Sequence, residues 1–505
     1  MKLIYIISFL LLYNLFINAQ NTYFNKAIGN DTVSLLAAPN LPVQDGYLVA
    51  GGFSSYNNYR AIYIKKLDFD GNLLWTKIID DEPIGPINDG TSMIRVQNNY
   101  NHFILTYPKF KDETYEDMDI AVVKFTLNGE ILWRKVYGDE NWQGTNAIIN
   151  TKDNGFLIAG FQQPQGGGYP KFYYFKIDSL GNQEWVRTHS RAAGGSDVPA
   201  TVLQTKDGGY ILSGYAYSNT TDYDMYIIKT NSNGIIEWKK SYGGDEIDGT
   251  ARLLALFPNG YFMSGAIREN DVKKSYFAKL DDLGNIIWER IYHFDTNYED
   301  VVYTSSFETN PIHTEDGGFI GVMLYETEEY IFGNLLVKLN SRGDTVWTKR
   351  LTPDPNNDVY VKDIEMTGDG YIISGFNYTH QPQYGWIVKT DFDGNTCWEL
   401  GCDSTAIVTN IANMSQKNPY QVQISPNPVR DKATVSYQLP LDGRLQLYDL
   451  QGRWIREWWL PSAVESMPME VGGLESGLYL YRVSIEELAP NSRGKEVSSG
   501  KLVVE

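Results

Sequence analysis

The sequence predicts an all-β chain, a seven-bladed β-propeller followed by a small immunoglobulin-like β-sandwich. Three observations carry this. First, a string of Lys, any residue, a small polar residue, any two, Gly, any three and Trp recurs at fixed spacing, at 66–75, 124–133, 176–185, 229–238, 279–288, 338–347 and 389–398. Second, each copy sits in a unit of about 50–60 residues, a period that means a propeller or solenoid. Third, the string stops near Cys402, and beyond a polar linker short alternating strands run to the end.

The fourth unit shows how one repeat folds. Residues 200–205 (ATVLQT) alternate and are rich in β-branched side chains; 206–209 (KDGG) form a turn, and 210–214 (YILSG) a second strand. After a polar loop, 225–229 (MYIIK) is a third strand, 231–234 (NSNG) a tight hairpin with Gly where positive φ is needed, and 235–240 (IIEWKK) a fourth. Four short strands with no helical period make a meandering antiparallel sheet. One such sheet exposes two faces, and stacking sheets around an axis covers both. Tryptophans at fixed spacing within a strand mark core, so Trp75, Trp133, Trp185, Trp238, Trp288, Trp347 and Trp398 are expected to pack between blades.

The chain of 505 residues carries a net charge of −19, which argues against nucleic-acid binding and against adhesion to an anionic membrane surface. Lys2, the apolar run 3–12 and small Ala19 read as a signal peptide over 1–19. No later segment is apolar enough to span a bilayer. Export places Cys397 and Cys402 in an oxidising compartment, where a structural disulfide closing a small loop is expected. A catalytic thiolate would need a base nearby, and no His is local. The organisation read here is signal peptide 1–19, propeller 22–402, linker 403–420 and terminal domain 421–505.

The unit resembles a widespread secreted-propeller repeat of the form DGGYIL-x-G followed by K-x-D-x-x-G-N-x-x-W, a resemblance that implies a fold and little chemistry. Its Asp-x-x-Gly-x-x-x-Trp part is similar to the docking motif of quinoprotein dehydrogenases. It lacks their Thr before the Gly, their longer spacing and their adjacent cysteine pair, so no quinone cofactor is expected. The tail resembles the C-terminal sorting domain of type IX secretion substrates of the Bacteroidota. The opening Pro426-Asn427-Pro428, Tyr448-Asp449-Leu450-x-Gly452, Leu474-x-x-Gly477-x-Tyr479 and Gly500-Lys501-Leu502 occur in that order. This implies export by Sec and then passage through an outer-membrane translocon that reads residues 421–505, leaving the cargo released or attached to the cell surface. Trp454, Trp458 and Trp459 are less typical of such tails and are expected to serve as core rather than as an exposed recognition patch.

Function on a propeller lives in variable loops. The second-to-third loops and the blade crossings vary, and they supply the ligand-face candidates Trp142, Tyr107, Tyr115, Tyr169, Tyr217, Tyr223, Tyr330 and Tyr378. Such aromatics suit carbohydrate or peptide. An acidic or amide residue precedes nearly every first strand: Asp31, Asp89, Gln143, Asp197, Asp248, Asp300 and Asp358. Each is expected to fix its crossing turn by accepting backbone N–H bonds; the competing reading is a cation site at the channel mouth. Asp68 to Asn72 and Asp391 to Asn395 have the look of calcium loops but lack a late bidentate carboxylate, and predict hairpin turns. The histidines show no metal-ligand spacing, and no nucleophile elbow, zinc helix or phosphate loop occurs. The expectation is a secreted or surface-attached, non-catalytic propeller binding glycan, peptide or a surface partner. The alternative is a carbohydrate-active hydrolase or lyase using carboxylates near the axis.

Overall fold

The computed structural model describes residues 23–504 apart from short loops and the segments 82–90, 112–116, 293–300, 352–358, 378–383, 397–406, 409–421 and 486–494. All regular elements in it are strands, and among the described residues no helix is long and apolar enough to cross a membrane. The chain divides into two units, Met1–Thr409 and Asn410–Glu505.

The first unit contains seven sheets, antiparallel throughout their blade strands. Blades two to five keep chain order, each running from a first strand to a fourth: Ser92–Arg95 to Ile131–Tyr137, Trp142–Asn150 to Gln183–His189, Asp197–Gln204 to Ile236–Tyr242, and Arg252–Ala255 to Ile286–Tyr292. In blade one (33–81) and blade six (301–351) the first strand is broken into two pieces on the same partner. Each blade contacts the next. The first strand of blade one, Asn40–Val43, touches that of blade two and the blade-seven strand Val359–Met366, so the seven sheets close a ring.

The last blade closes it. Its first three strands are Val359–Met366, Tyr371–Asn377 and Gly385–Thr390, but its fourth is the N-terminal strand Asn25–Gly29. In blades one to six the repeat Lys of the third strand lies opposite the repeat Trp of the fourth. In blade seven Asn25 lies opposite Val388, and the Lys389 N–H donates to the Phe24 carbonyl at 2.8 Å. Phe24 therefore holds the tryptophan's register, the place expected for Trp398. Trp398, Cys397 and Cys402 lie outside the described residues. A fifth strand, Ile407–Val408, pairs in parallel with Asn25–Gly29, inside the segment expected to be linker.

The six described repeat tryptophans are half-buried on the outermost strands. Each indole covers the hairpin glycine of the following blade: Trp75 on Gly129, Trp133 on Gly181, Trp185 on Gly234, Trp238 on Gly284, Trp288 on Gly343 and Trp347 on Gly394. These glycines have φ between 73° and 82°, and a Cβ there would sit 2.5–3.2 Å from the indole. Positive φ and this close approach together call for glycine. Tyrosine hydroxyls seat the same turns, Tyr137 donating to the Gly181 carbonyl at 2.6 Å and Tyr242 to that of Gly284 at 2.6 Å.

The core is correspondingly divided among the seams. One cluster joins Ile211, Met225 and Ile227 of blade four to Leu253, Tyr261 and Met263 of blade five. Another joins Phe24, Ile28, Ile372 and Ile387 of blade seven to Tyr47, Val49 and Leu67 of blade one. Within the blades, the repeat Lys reaches the Asp of its own first turn: Lys176 to Asp153 at 2.7 Å, Lys229 to Asp207 at 2.9 Å, Lys338 to Asp316 at 2.8 Å and Lys389 to Asp369 at 2.8 Å.

The second unit is a sandwich of a three-stranded sheet (Val422–Ser425, Lys432–Tyr437, Ser466–Glu470) and a four-stranded sheet in the order Trp454–Leu460, Gly443–Tyr448, Gly477–Ile485, Lys495–Val504. Ile424, Val435, Leu445, Leu447, Val483 and Leu502 fill it. Asn427 pins its opening, accepting from the Val503 N–H at 2.9 Å and donating to the Lys501 carbonyl at 2.8 Å. Of the three tail tryptophans expected as core, only Trp458 packs on this cluster; Trp454 and Trp459 are 59 % and 44 % exposed. Strand alternation sends Trp458 inward and its neighbour Trp459 outward.

Candidate functional site

The variable face is organised at blade four by Asp197, the first residue of that blade. Asp197 is fully buried, and its carboxylate accepts from the Ser190 hydroxyl at 2.8 Å, the Arg191 N–H at 2.7 Å and the Tyr217 N–H at 2.8 Å. Its own N–H donates to the Pro170 carbonyl at 2.8 Å. One residue thus ties together the second-to-third loop of blade three, the crossing into blade four, and the second-to-third hairpin of blade four. Gln143 has a similar place in blade three, fully buried and donating from its side-chain amide to Asp139 at 2.5 Å. Asp31, Asp89, Asp248, Asp300 and Asp358 lie outside the described residues.

Beside Asp197 the tyrosines of the blade-four hairpin come together. Tyr217 and Tyr223 face each other across the hairpin with ring centroids 5.5 Å apart, and Tyr215 meets Tyr223 edge-on at 5.8 Å. The Tyr223 hydroxyl accepts from the Ser196 N–H at 3.3 Å, and Tyr217 lies over Gly195, where a Cβ would collide with the ring. Tyr169 is 54 % exposed and follows three glycines of positive φ. Beneath them, Arg191 pairs with the buried Asp224 at 2.5 Å and lies over the Tyr226 ring, while His189 stacks on Tyr226 and meets its hydroxyl at 3.0 Å. Burial holds the His189 imidazole below its usual pKa, aided by Lys239 and opposed by Asp197, and pushes the Tyr226 phenol up to about 12.

Other sequence candidates fall elsewhere. Tyr107 is fully buried within the second strand His102–Phe110 of blade two, so it does not belong to the ligand face; the strand runs several residues past the repeat motif. Trp142 opens the first strand of blade three and is half-buried. Tyr115, Tyr330 and Tyr378 lie outside the described residues. Asp68 accepts the N–H groups of Asp70 and Asn72 and the Asn72 side-chain amide, and Asp391 makes the same bonds with Asp393 and Asn395, so each organises a hairpin. Among the described residues no group of three or more His, Cys, Asp or Glu is placed to hold a metal ion.

The axis carries charges that sequence reading missed. On the first strands, Leu41, Ile94, Ile149, Leu203, Leu254, Ile312 and Glu365 share one register. Six are aliphatic, and the exception is Glu365, which feels the charge of Arg95, the residue after Ile94. One layer on, Thr201, Arg252 and Asp363 correspond, and Thr201 donates across to Asn310 of blade six at 3.3 Å. Asp363 accepts the Asn40 N–H at 2.8 Å from blade one. Burial and the neighbouring Asp363 push the Glu365 carboxyl well above the usual carboxylate range, against the pull of Arg95. The available signal was a charge at an inward position of a first strand.

Residues 423–497 match the secretion system C-terminal sorting domain. A comparison with curated proteins finds no match. Among solved structures, the chain is similar to a protein of unknown function from Dyadobacter fermentans (12 % identity, 60 % of this chain and 94 % of that one, TM-score 0.40). It is likewise similar to a polysaccharide lyase, an ulvan lyase (10 %, 74 % and 96 %, TM-score 0.47), and to the WD40 domain of Pan2 from Neurospora crassa (10 %, 74 % and 91 %, TM-score 0.37). At these identities and scores the propeller rests on its own sheet order and blade-to-blade contacts.

Proposed function

We propose that this is a non-catalytic binding propeller, exported through its type IX sorting tail to the cell surface or beyond, that recognises glycan or peptide through the face built around Asp197. The tail match supports the export. The observation that carries the binding role is the pairing of Tyr217 with Tyr223 on a hairpin that the buried Asp197 carboxylate ties to the crossing into blade four and to the loop carrying exposed Tyr169. Rigid aromatics offer large contact area at low entropy cost, and Arg191 and Asp224 beneath them fix the support. On this reading residues 22–402 form the binding unit and 421–505 the export unit.

Polysaccharide and peptide arrays probed with the chain lacking residues 1–19 test the reading. Binding that weakens in Tyr217→Ala and Tyr223→Ala, with no change in the ligand, supports it. A second reading, a hydrolase or lyase, is favoured by the raised Glu365 beside Asp363 on the axis. New reducing ends or unsaturated products, lost in Glu365→Gln, would establish it and displace the first.

A further inference from the structure

Two rows of opposed residues meet across the seam between blades seven and one. In blade one the row runs Asn40, Val49, Lys65, Thr76 from first strand to fourth. In blade seven it runs Asp363, Ser374, Ile387, Lys26. Directly opposed residues of an antiparallel pair share a face. Val49 and Ile387 belong to one apolar cluster, so the two rows look at each other. Asn40 joins their inner ends, donating from its N–H to Asp363 and from its side-chain amide to the Ser374 hydroxyl, both at 2.8 Å.

Lys65 therefore stands in the seam that the N-terminal strand closes. It is fully buried, donates to the Thr76 hydroxyl at 3.1 Å and lies 4.8 Å from the centre of the Tyr63 ring. Among the described residues no carboxylate pairs with it, and burial alone lowers its pKa. The titratable groups on the facing surfaces are engaged elsewhere. Tyr63 on its own strand and Tyr47 on the second strand are neutral phenols whose pKa burial raises. Across the seam Lys26 donates to Asn72 at 2.9 Å, Lys389 pairs with Asp369 at 2.8 Å, and Asp363 and Glu365 stand on the first strand at the axis. A buried ammonium without a counter-ion is costly, and parting the seam restores its hydration. The other six blades carry an apolar residue at this position.

The strand Asn25–Gly29 is also the piece least tied down. In blades one to six the fourth strand follows the third through a hairpin, whereas no turn joins Asn25–Gly29 to Gly385–Thr390. We propose that this seam is a latch opened by protons: a charged Lys65 parts blade seven from blade one and frees the strand Asn25–Gly29, while the other six seams hold. The open seam binds one more proton than the closed one between about pH 7 and the ordinary lysine value. Opening therefore grows as pH falls through that range and levels off below it.

The test is hydrogen exchange read by mass spectrometry on the chain lacking residues 1–19, expressed as protection factors so that the pH dependence of the intrinsic rate divides out. Protection of 25–29 and 385–390 is expected to fall roughly thirtyfold from pH 8.5 to pH 6, most of it above pH 7. Protection of 171–177 and 210–218, in blades three and four, should stay constant over the same range. In Lys65→Met the fall at 25–29 should vanish. An equal fall in every seam, a fall that persists in Lys65→Met, or no fall in the unmodified chain overturns the proposal. The contrast between seams in the unmodified chain decides the test even where Lys65→Met does not fold.

Discussion

The ring of Phe24 lies on Gly71, a Cβ at that glycine falling 2.9 Å from the ring, just as Trp75 lies on Gly129 one blade further on. Lys26, two residues after Phe24, donates to Asn72 at 2.9 Å; Lys135 and Lys349, two after their tryptophans, donate to Asn182 and Asn395 in the same way. The N-terminal strand thus reproduces the contacts of the fourth strand it replaces.

Removing that ring should open the closing seam. Phe24→Ala is expected to cost about 3–5 kcal/mol, as for other buried aromatics. Phe24→Trp should be tolerated, because six other seams hold an indole at this register. Thermal melting of both variants decides this; an unaffected Phe24→Ala would mean the seam is held elsewhere.

The hairpin glycines should divide by what faces them. Gly394→Ala combines a φ of 74° with a Cβ 2.7 Å from Trp347, whereas Gly208→Ala has a φ of 85° and nothing within 4 Å. Gly208→Ala should cost roughly 1 kcal/mol from backbone conformation alone, and Gly394→Ala clearly more. Equal losses in denaturant titrations would contradict the indole contact.

Lys65 is a fully buried lysine at a third-strand position where the other blades carry Val123, Phe175, Ile228, Ala278, Val337 and Val388. Burial lowers its pKa to about 7. The unfolded chain then binds one more proton than the folded one between about pH 7 and the ordinary lysine value. Stability should rise across that window by up to ~1.4 kcal/mol per pH unit relative to Lys65→Met. Parallel pH–stability curves for the two proteins would refute this.

At the acid end the slope has the same sign, but it comes from groups that stabilise the fold rather than from one that burdens it. Partial burial acts to raise the Asp207 carboxyl, but bonds from Thr205, Lys229 and the Gly209 N–H hold it at about 2, and Asp316 is held at about 2 by Lys338, Thr314 and Gly318. Depressed carboxylates contribute stability above their unfolded pKa and lose it as pH falls through the folded one. Melting temperature should therefore drop between about pH 4 and pH 2, less steeply in Asp207→Asn/Asp316→Asn.

The repeat made the blades legible because one spacing fixes both a hairpin and a blade contact, so Lys338, Gly343 and Trp347 announce themselves. The closure was not legible. Trp398 completes the seventh string as well as any other tryptophan, while Phe24-Asn25-Lys26 keeps only a ring and a cation of the Trp-x-Lys pattern. Asp197 was legible because a carboxylate before a first strand suits a turn, and it accepts the Arg191 and Tyr217 N–H groups there. Tyr107 was misplaced because pairing continues beyond the motif. Glu365 was hidden because alternation marks a strand without revealing that seven strands meet at one axis.

Residues 25–29 pair with both 385–388 and 407–408, so the first and last parts of the propeller are neighbours in a single sheet. A chain that emerges from a membrane N-terminus first must carry those five residues unpaired while some 350 others appear. The circle is completed only by its final arrivals, and any fragment ending before them leaves the opening strand without a partner.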